Sequence, residues 1–165
     1  MKIAAQDEYG LRILIQISGA DPAEGLSIQQ LSELEGLSTA YVAKLTRKLR
    51  MAQLIDSRRG HKGGYILSRP AESIFVSEVM EALGGNLYDD SFCKSHSGIL
   101  KLCTNSMDCS IRSLWTIVQQ SVNQILSNVS IADLTVTEKK TGTMLSTLLE
   151  QNLINIIDSK EAEEV

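Results

Sequence analysis

At 165 residues, the chain suits one compact domain with at most a small oligomerisation element, and its 43% apolar content suffices for a core. No apolar run approaches the ~20 residues that a membrane span needs, and the first eight residues carry no apolar signal-peptide core, so a cytoplasmic protein is expected. The formal net charge of −4 excludes a uniformly basic nucleic-acid binder and leaves open a local basic patch.

A first helix is expected from Asp7 to about Gly19, with Leu11, Leu14, Ile15 and Ser18 on its inner face. Asp21-Pro22-Ala-Glu-Gly25 is a turn. Ser27 then precedes an apolar-periodic run and has Gln30 three residues on, the capping-box start of a short second helix. Gly36-Leu37-Ser38 ends that helix and begins a third, with Ser38 as N-cap. Val42, Leu45 and Leu49 recur at helical spacing and are expected to face the core. Thr39, Tyr41, Lys44, Arg47 and Lys48 lie mostly off that stripe. Two short helices joined by a Gly-containing turn form a helix-turn-helix.

Leu54 and Ile55 begin a strand, Arg58-Arg-Gly-His-Lys-Gly-Gly64 makes a tight connection, and Tyr65-Ile66-Leu67 returns. A helix-turn-helix followed by a basic-tipped hairpin is a winged helix. Residues 44 to 69 carry eight Lys or Arg against the single acid Asp56, a local net charge of +7, which leaves −11 for the rest. Because these cations occupy both the third helix and the wing tip, double-stranded DNA is the expected partner. Pro70 closes the wing, and Ser77 to Leu83 forms a short helix with Val79, Met80 and Leu83 inward, ended by Gly84-Gly85.

Periodicity disappears from Asn86 to Asp108, a loop long enough to be functional or disordered. It leads into Cys109 and, with it, holds all three cysteines, spaced Cys93-x9-Cys103-x5-Cys109. An odd number is a poor disulfide framework, and the Cys-x2-Cys pairs of zinc ribbons are absent, so a metal or redox cluster in a reducing compartment is expected. The longest amphipathic helix follows, roughly Ser110 to Val129, with Ile111, Leu114, Ile117, Val122, Ile125, Leu126 and Val129 apolar. That stripe is too apolar for water; part is expected on the chain's own winged helix and the rest on the same helix of a second subunit. A last helix is expected from Thr137 through Ile157, then an acidic tail.

Several local patterns resemble one family. Tyr9-Gly10-Leu11-Arg12, the Ser38-x-x-Tyr41 helix start, Leu49-Arg50 and Arg59-Gly60-x-Lys62-Gly63-Gly64-Tyr65 resemble the bacterial winged-helix regulators typified by IscR, NsrR, RirA and CymR, over about Met1 to Leu134. The resemblance implies a mainly α fold with a small β-hairpin wing and a long dimerisation helix. It divides the chain into a winged helix-turn-helix at 1–83, a cysteine loop at 84–109, a dimerisation helix at 110–134, and a C-terminal helical extension at 135–165.

Cluster-bearing members of that family place three cysteines in this segment, so the resemblance implies an iron–sulfur cluster (2Fe–2S or 4Fe–4S) on Cys93, Cys103 and Cys109. Their usual spacing is Cys-x5-Cys-x5-Cys; the second gap here matches and the first is longer. IscR-like members carry a His three residues after the last Cys, where this chain has Arg112, which cannot ligate. NsrR-like members are similar in placing a carboxylate near the start of the first helix, which reaches the other subunit's cluster. Glu8 holds that position, with Asp7 its neighbour; His96 is the alternative fourth ligand. Read without the family, Glu8 is an exposed acid at a helix N-terminus.

The expected function is a homodimeric transcriptional regulator on a near-palindromic operator. Ser38, Thr39, Tyr41, Lys44, Arg47 and Lys48 would meet the major groove or its phosphates, and Arg59 and Lys62 the neighbouring minor groove. The alternative is a regulator of the same fold without a cluster, which senses by cysteine oxidation, zinc or a protein partner. An enzyme is not expected: there is no Ser/His/Asp arrangement, and the glycine run 60–64 lies in a hairpin, not before a helix.

Overall fold

The computed structural model describes residues 3–58, 63–84, 88, 92–93 and 108–163, with side chains described to residue 151. Arg59, Lys62, His61, His96, Cys103 and Gly85 lie outside the described residues.

Helix α1 (Ala5–Ser18) is the spine of the domain. Its fully buried residues are Ile13, Leu14 and Ile17, with Gly10 on the same stripe, while the expected Leu11 and Ile15 are half-buried. Two stripes of equal period, offset by one residue, compete on this helix. The stripe through Gly10 wins because it lets the helix Val76–Leu83 approach closely: a Cβ on Gly10 would lie 2.3 Å from Leu83 Cδ1.

Helix α2 (Ile28–Glu35) starts on the expected capping box. Gln30 N–H donates to Ser27 Oγ at 3.2 Å, and Ser27 N–H donates to Gln30 Oε1 at 2.9 Å. It ends at Gly36, whose φ of 65° is left-handed, a conformation that a side chain would strain. Helix α3 (Thr39–Met51) begins where Ser38 Oγ accepts from Tyr41 N–H at 3.3 Å. Val42, Leu45 and Leu49 are fully buried, as expected, and Thr46 joins them by turning its hydroxyl onto Val42 O at 3.0 Å.

The wing pairs β1 (Ile55–Ser57) with β2 (Tyr65–Leu67) in antiparallel register, Ile55 opposite Leu67 and Ser57 opposite Tyr65. Leu54 is buried but lies in the turn before β1. The wing is tied to the turn before α2: Leu26 N–H donates to Tyr65 O at 3.0 Å, and Tyr65 N–H donates to Leu26 O at 2.8 Å. Only glycines fit this contact, since a Cβ on Gly64 would lie 2.7 Å from Leu26 N and one on Gly25 2.5 Å from Tyr65 O. Arg69 is structural: it donates to Ser73 O and Gln53 O and pairs with Glu78.

After a 3-10 turn (Ala71–Ser73), helix α4 (Val76–Leu83) buries Val76, Val79 and Leu83 and leaves the expected Met80 half-buried. Helix α5 (Ser110–Leu126) is shorter than expected and buries none of its residues. The chain then returns to the domain. Val76 N–H donates to Val129 O and Ile131 N–H to Ile74 O, both at 2.8 Å, and Val129 and Ile131 are buried. Helix α6 (Ile131–Leu134) packs on α1 and the 3-10 turn. Ile131 thereby joins the winged-helix core, with Val129 and Ser130 buried beside it. Helix α7 (Glu138–Glu163) follows and ends six residues beyond the expected Ile157. No helix among the described residues is long and apolar enough to cross a membrane.

Candidate DNA interface and cysteine segment

Opposite its buried stripe, α3 presents Ala40, Lys44, Arg47 and Met51 to solvent, with Ser38 and Thr39 exposed at its start. Arg50 and Arg58 are exposed cations on the same basic stretch; both were visible in the charge count and omitted from the expected contacts. Two expected contacts sit differently. Lys48 leans away from that face: its Nζ donates to Leu83 O at 2.9 Å and to Gln6 Oε1 at 3.1 Å, so it ties α3 to α1 and α4. These two neutral acceptors engage two of the three ammonium N–H donors and hold the group between α1 and α4. Tyr41 is half-buried edge-on against Tyr9, ring centroids 6.1 Å apart.

A second set of contacts fixes α1 to the end of α2. Arg12 Nε pairs with the buried Glu35 Oε2 at 2.6 Å, Gln16 donates to Glu35 Oε1 at 2.8 Å, and the Arg12 guanidinium lies 5.5 Å from the Tyr9 ring centroid. The start of α1, where Glu8 lies, thus touches the helix-turn-helix through its immediate neighbours.

The two acids of that first turn separate. Glu8 is exposed. Asp7 is 3% exposed; its Oδ2 accepts from Ala4 N–H at 3.2 Å, while its Oδ1 is buried without a hydrogen-bond partner among the described residues. An exposed carboxylate is the one a second subunit can reach.

Cys93 and Cys109 are half-buried free thiols drawn to one residue. Cys109 is the N-cap of α5, and its Sγ accepts from Arg112 N–H at 3.4 Å. The Arg112 side chain hydrogen-bonds Cys93, whose Sγ lies 3.5 Å from the Tyr88 hydroxyl. Tyr88 is held in turn by Gln119 of α5, Oε1 accepting Tyr88 N–H at 3.0 Å. The Cys93 hydrogen bond pushes the Arg112 guanidinium above its ordinary range; desolvation opposes this, and the charges of Cys93, Cys109 and Tyr88 add to it. Among the described residues no three His, Cys, Asp or Glu gather as metal donors. Cys109 at the start of α5 and Cys93 beside Tyr88 supply two donors of the type a thiolate-held group uses, and Cys103 lies between them in sequence.

A family model described as "Rrf2: Iron-dependent Transcriptional regulator" matches residues 3–137. A protein of Azotobacter vinelandii named as a candidate HTH-type transcriptional regulator, ORF2, is 30% identical over 134 residues, 81% of this chain and 79% of its own length. Among solved structures, T. potens IscR superposes with a TM-score of 0.63 at 27% identity, covering 81% of this chain and 85% of that one. Staphylococcus aureus CymR superposes with a TM-score of 0.61 at 27% identity, covering 81% and 98%. The match spans the whole winged helix, the cysteine segment and α5, and stops at the start of α7. The chain belongs to the Rrf2 family of DNA-binding winged-helix transcriptional regulators.

Proposed function

We propose that the chain is a homodimeric regulator whose operator affinity is set by an iron–sulfur cluster held by Cys93, Cys103 and Cys109, with Glu8 of the partner subunit as fourth ligand. The observation that supports this reading is that Cys109 caps α5 while Cys93 lies beside Tyr88, which Gln119 of α5 holds, so both thiols sit along one helix. When bound, such a cluster supplies a link that responds to oxidation, nitric oxide or iron supply. The chain's own residues do the rest. Gln6 and Tyr9, within two residues of Glu8, touch Lys48 and Tyr41 of α3, so a displaced α1 start moves the reading helix. A coupling of about 1–3 kcal/mol changes affinity roughly 5- to 150-fold.

The dimer reading rests on α5. Ile111, Trp115, Val118, Val122 and Ile125 recur at alternating steps of four and three, the seam of a two-helix coil. Ile111, Leu114 and Trp115 stay exposed in the single chain. A two-fold dimer presents two α3 helices to successive major grooves. In each, Ser38, Thr39, Lys44 and Arg47 face the DNA, with Arg59 and Lys62 of the wing reaching the adjacent minor groove.

Protein purified without oxygen should be coloured, with iron and acid-labile sulfide in matching amounts; colourless, sulfide-free protein contradicts the cluster. That outcome favours thiol sensing, a second reading supported by the likeness to Staphylococcus aureus CymR, whose structure is also solved in an oxidized form. For the DNA face, Lys44→Ala with Arg47→Ala removes two contacts from each of two subunits and should lower the slope of log K against log salt by about 4, with affinity near 0.1 M salt falling on the order of 10²- to 10⁴-fold. An unchanged slope would remove both residues from the phosphate contacts.

A further inference from the structure

Helix α2 ends on an acid in a place that electrostatics disfavours. Glu35 is its last residue, at the negative end of the helix dipole, and the Glu35 side chain is only 2% exposed. A carboxylate buried there needs compensating partners, and α1 supplies two. Arg12 Nε pairs with Oε2 at 2.6 Å, and Gln16 Nε2 donates to Oε1 at 2.8 Å. The same Arg12 guanidinium lies 5.5 Å from the ring centroid of Tyr9. That ring stands at 87° to the ring of Tyr41, with 6.1 Å between centroids. Glu35 and Tyr41 lie on either side of the turn at 36–38 that joins α2 to α3. One cation on α1 therefore braces both sides of the helix-turn-helix.

What is braced is the reading end of α3. Base edges are met by the first residues of a recognition helix, and Ser38, Thr39 and Ala40 are exposed there. Val42, Leu45 and Leu49 anchor α3 from its first turn onward. Tyr41, half-buried on Tyr9, holds the first turn against α1. We propose that Arg12 is a specificity-determining positioning residue: through Glu35 and Tyr9 it fixes how the start of α3 meets the bases, without touching DNA itself. This role belongs to the winged helix and is independent of the cysteine segment. A hydrogen bond to a base edge tolerates little misplacement, whereas long exposed cations such as Lys44 and Arg47 can follow a phosphate as the helix shifts. Loosening the brace thus weakens operator recognition and leaves non-specific binding intact.

The test measures the affinity of the full chain for a duplex that it selects from a random library and for an unrelated duplex of equal length. Both are titrated over a series of salt concentrations. Wild type is compared with Arg12→Met and with Arg12→Met/Glu35→Met, and thermal unfolding confirms the fold of each variant. The double variant leaves no buried carboxylate unpaired, and replacing a whole buried ion pair by apolar side chains is often close to neutral for stability. The expected result for both variants is a ratio of specific to non-specific affinity about 10-fold lower than wild type, roughly the discrimination of one base pair. The salt slope should stay as in wild type. Should Arg12→Met fail to fold, the double variant decides by the same ratio. A folding defect alone lowers both affinities together, so an unchanged ratio overturns the proposal. A salt slope smaller by about 2, one phosphate for each of two subunits, makes Arg12 a direct DNA contact and overturns it as well.

Discussion

A Trp115→Asp chain is expected to sediment as a monomer and to lose about 10²- to 10⁴-fold in DNA affinity, since two linked half-site contacts become two independent ones. Trp115 is 47% exposed in the single chain and lies on the α5 seam with Ile111 and Val118. Tryptophan is the side chain whose desolvation most often dominates an interface, and a carboxylate in that seam would face its own copy across the two-fold axis. The winged helix should survive, because the core is built from α1 to α4, the wing and the 129–134 return, with no buried residue from α5. The two readouts are sedimentation and duplex binding, with thermal unfolding of the core as control. A variant that remains dimeric and keeps wild-type affinity would place the dimer surface elsewhere.

The second large effect is at the base of the wing. Gly64→Val should destabilise the domain by about 3 kcal/mol, the upper end of ordinary overpacking, and so lower the melting temperature by roughly 6–12 °C for a chain of this size. The new Cβ would meet Leu26 N at 2.7 Å and Gly25 C and Leu26 C at 2.8 Å. These are backbone atoms that cannot rotate aside, so relief requires breaking the paired Leu26–Tyr65 hydrogen bonds. DNA affinity should fall as well, because those bonds orient the wing against the helix-turn-helix. A melting temperature equal to wild type would mean that the wing base is far more yielding than its contacts imply.

Much of the winged helix was legible because its boundaries are set by local chemistry. Ser27, Ser38, Gly36 and Gly84 act on residues within one turn of themselves, and each holds the place expected of it. What escaped depends on partners distant in sequence. The inner face of α1 was offset by one residue because Gly10 contributes by lacking a side chain, which becomes visible only when Leu83 packs on it. Lys48 reads as one more cation on a basic helix until Leu83 O and Gln6 are seen beside its ammonium. The return of Val129 to Ile131 rests on hydrogen bonds to Val76 and Ile74 that carry no helical period. Arg112 was noticed only for being unable to ligate. Its hydrogen bond to Cys93 joins two ends of an aperiodic segment, and no spacing rule signals that.

The most direct test of the account compares the DNA affinity of the wild-type chain loaded with its cluster and stripped of it, both without oxygen, on a duplex selected by the chain from a random library. The two forms are expected to differ by at least about 5-fold, the low end of ordinary coupling between sites. Two forms that bind the duplex equally tightly would contradict it, leaving a DNA-binding regulator whose cysteines do not control the operator.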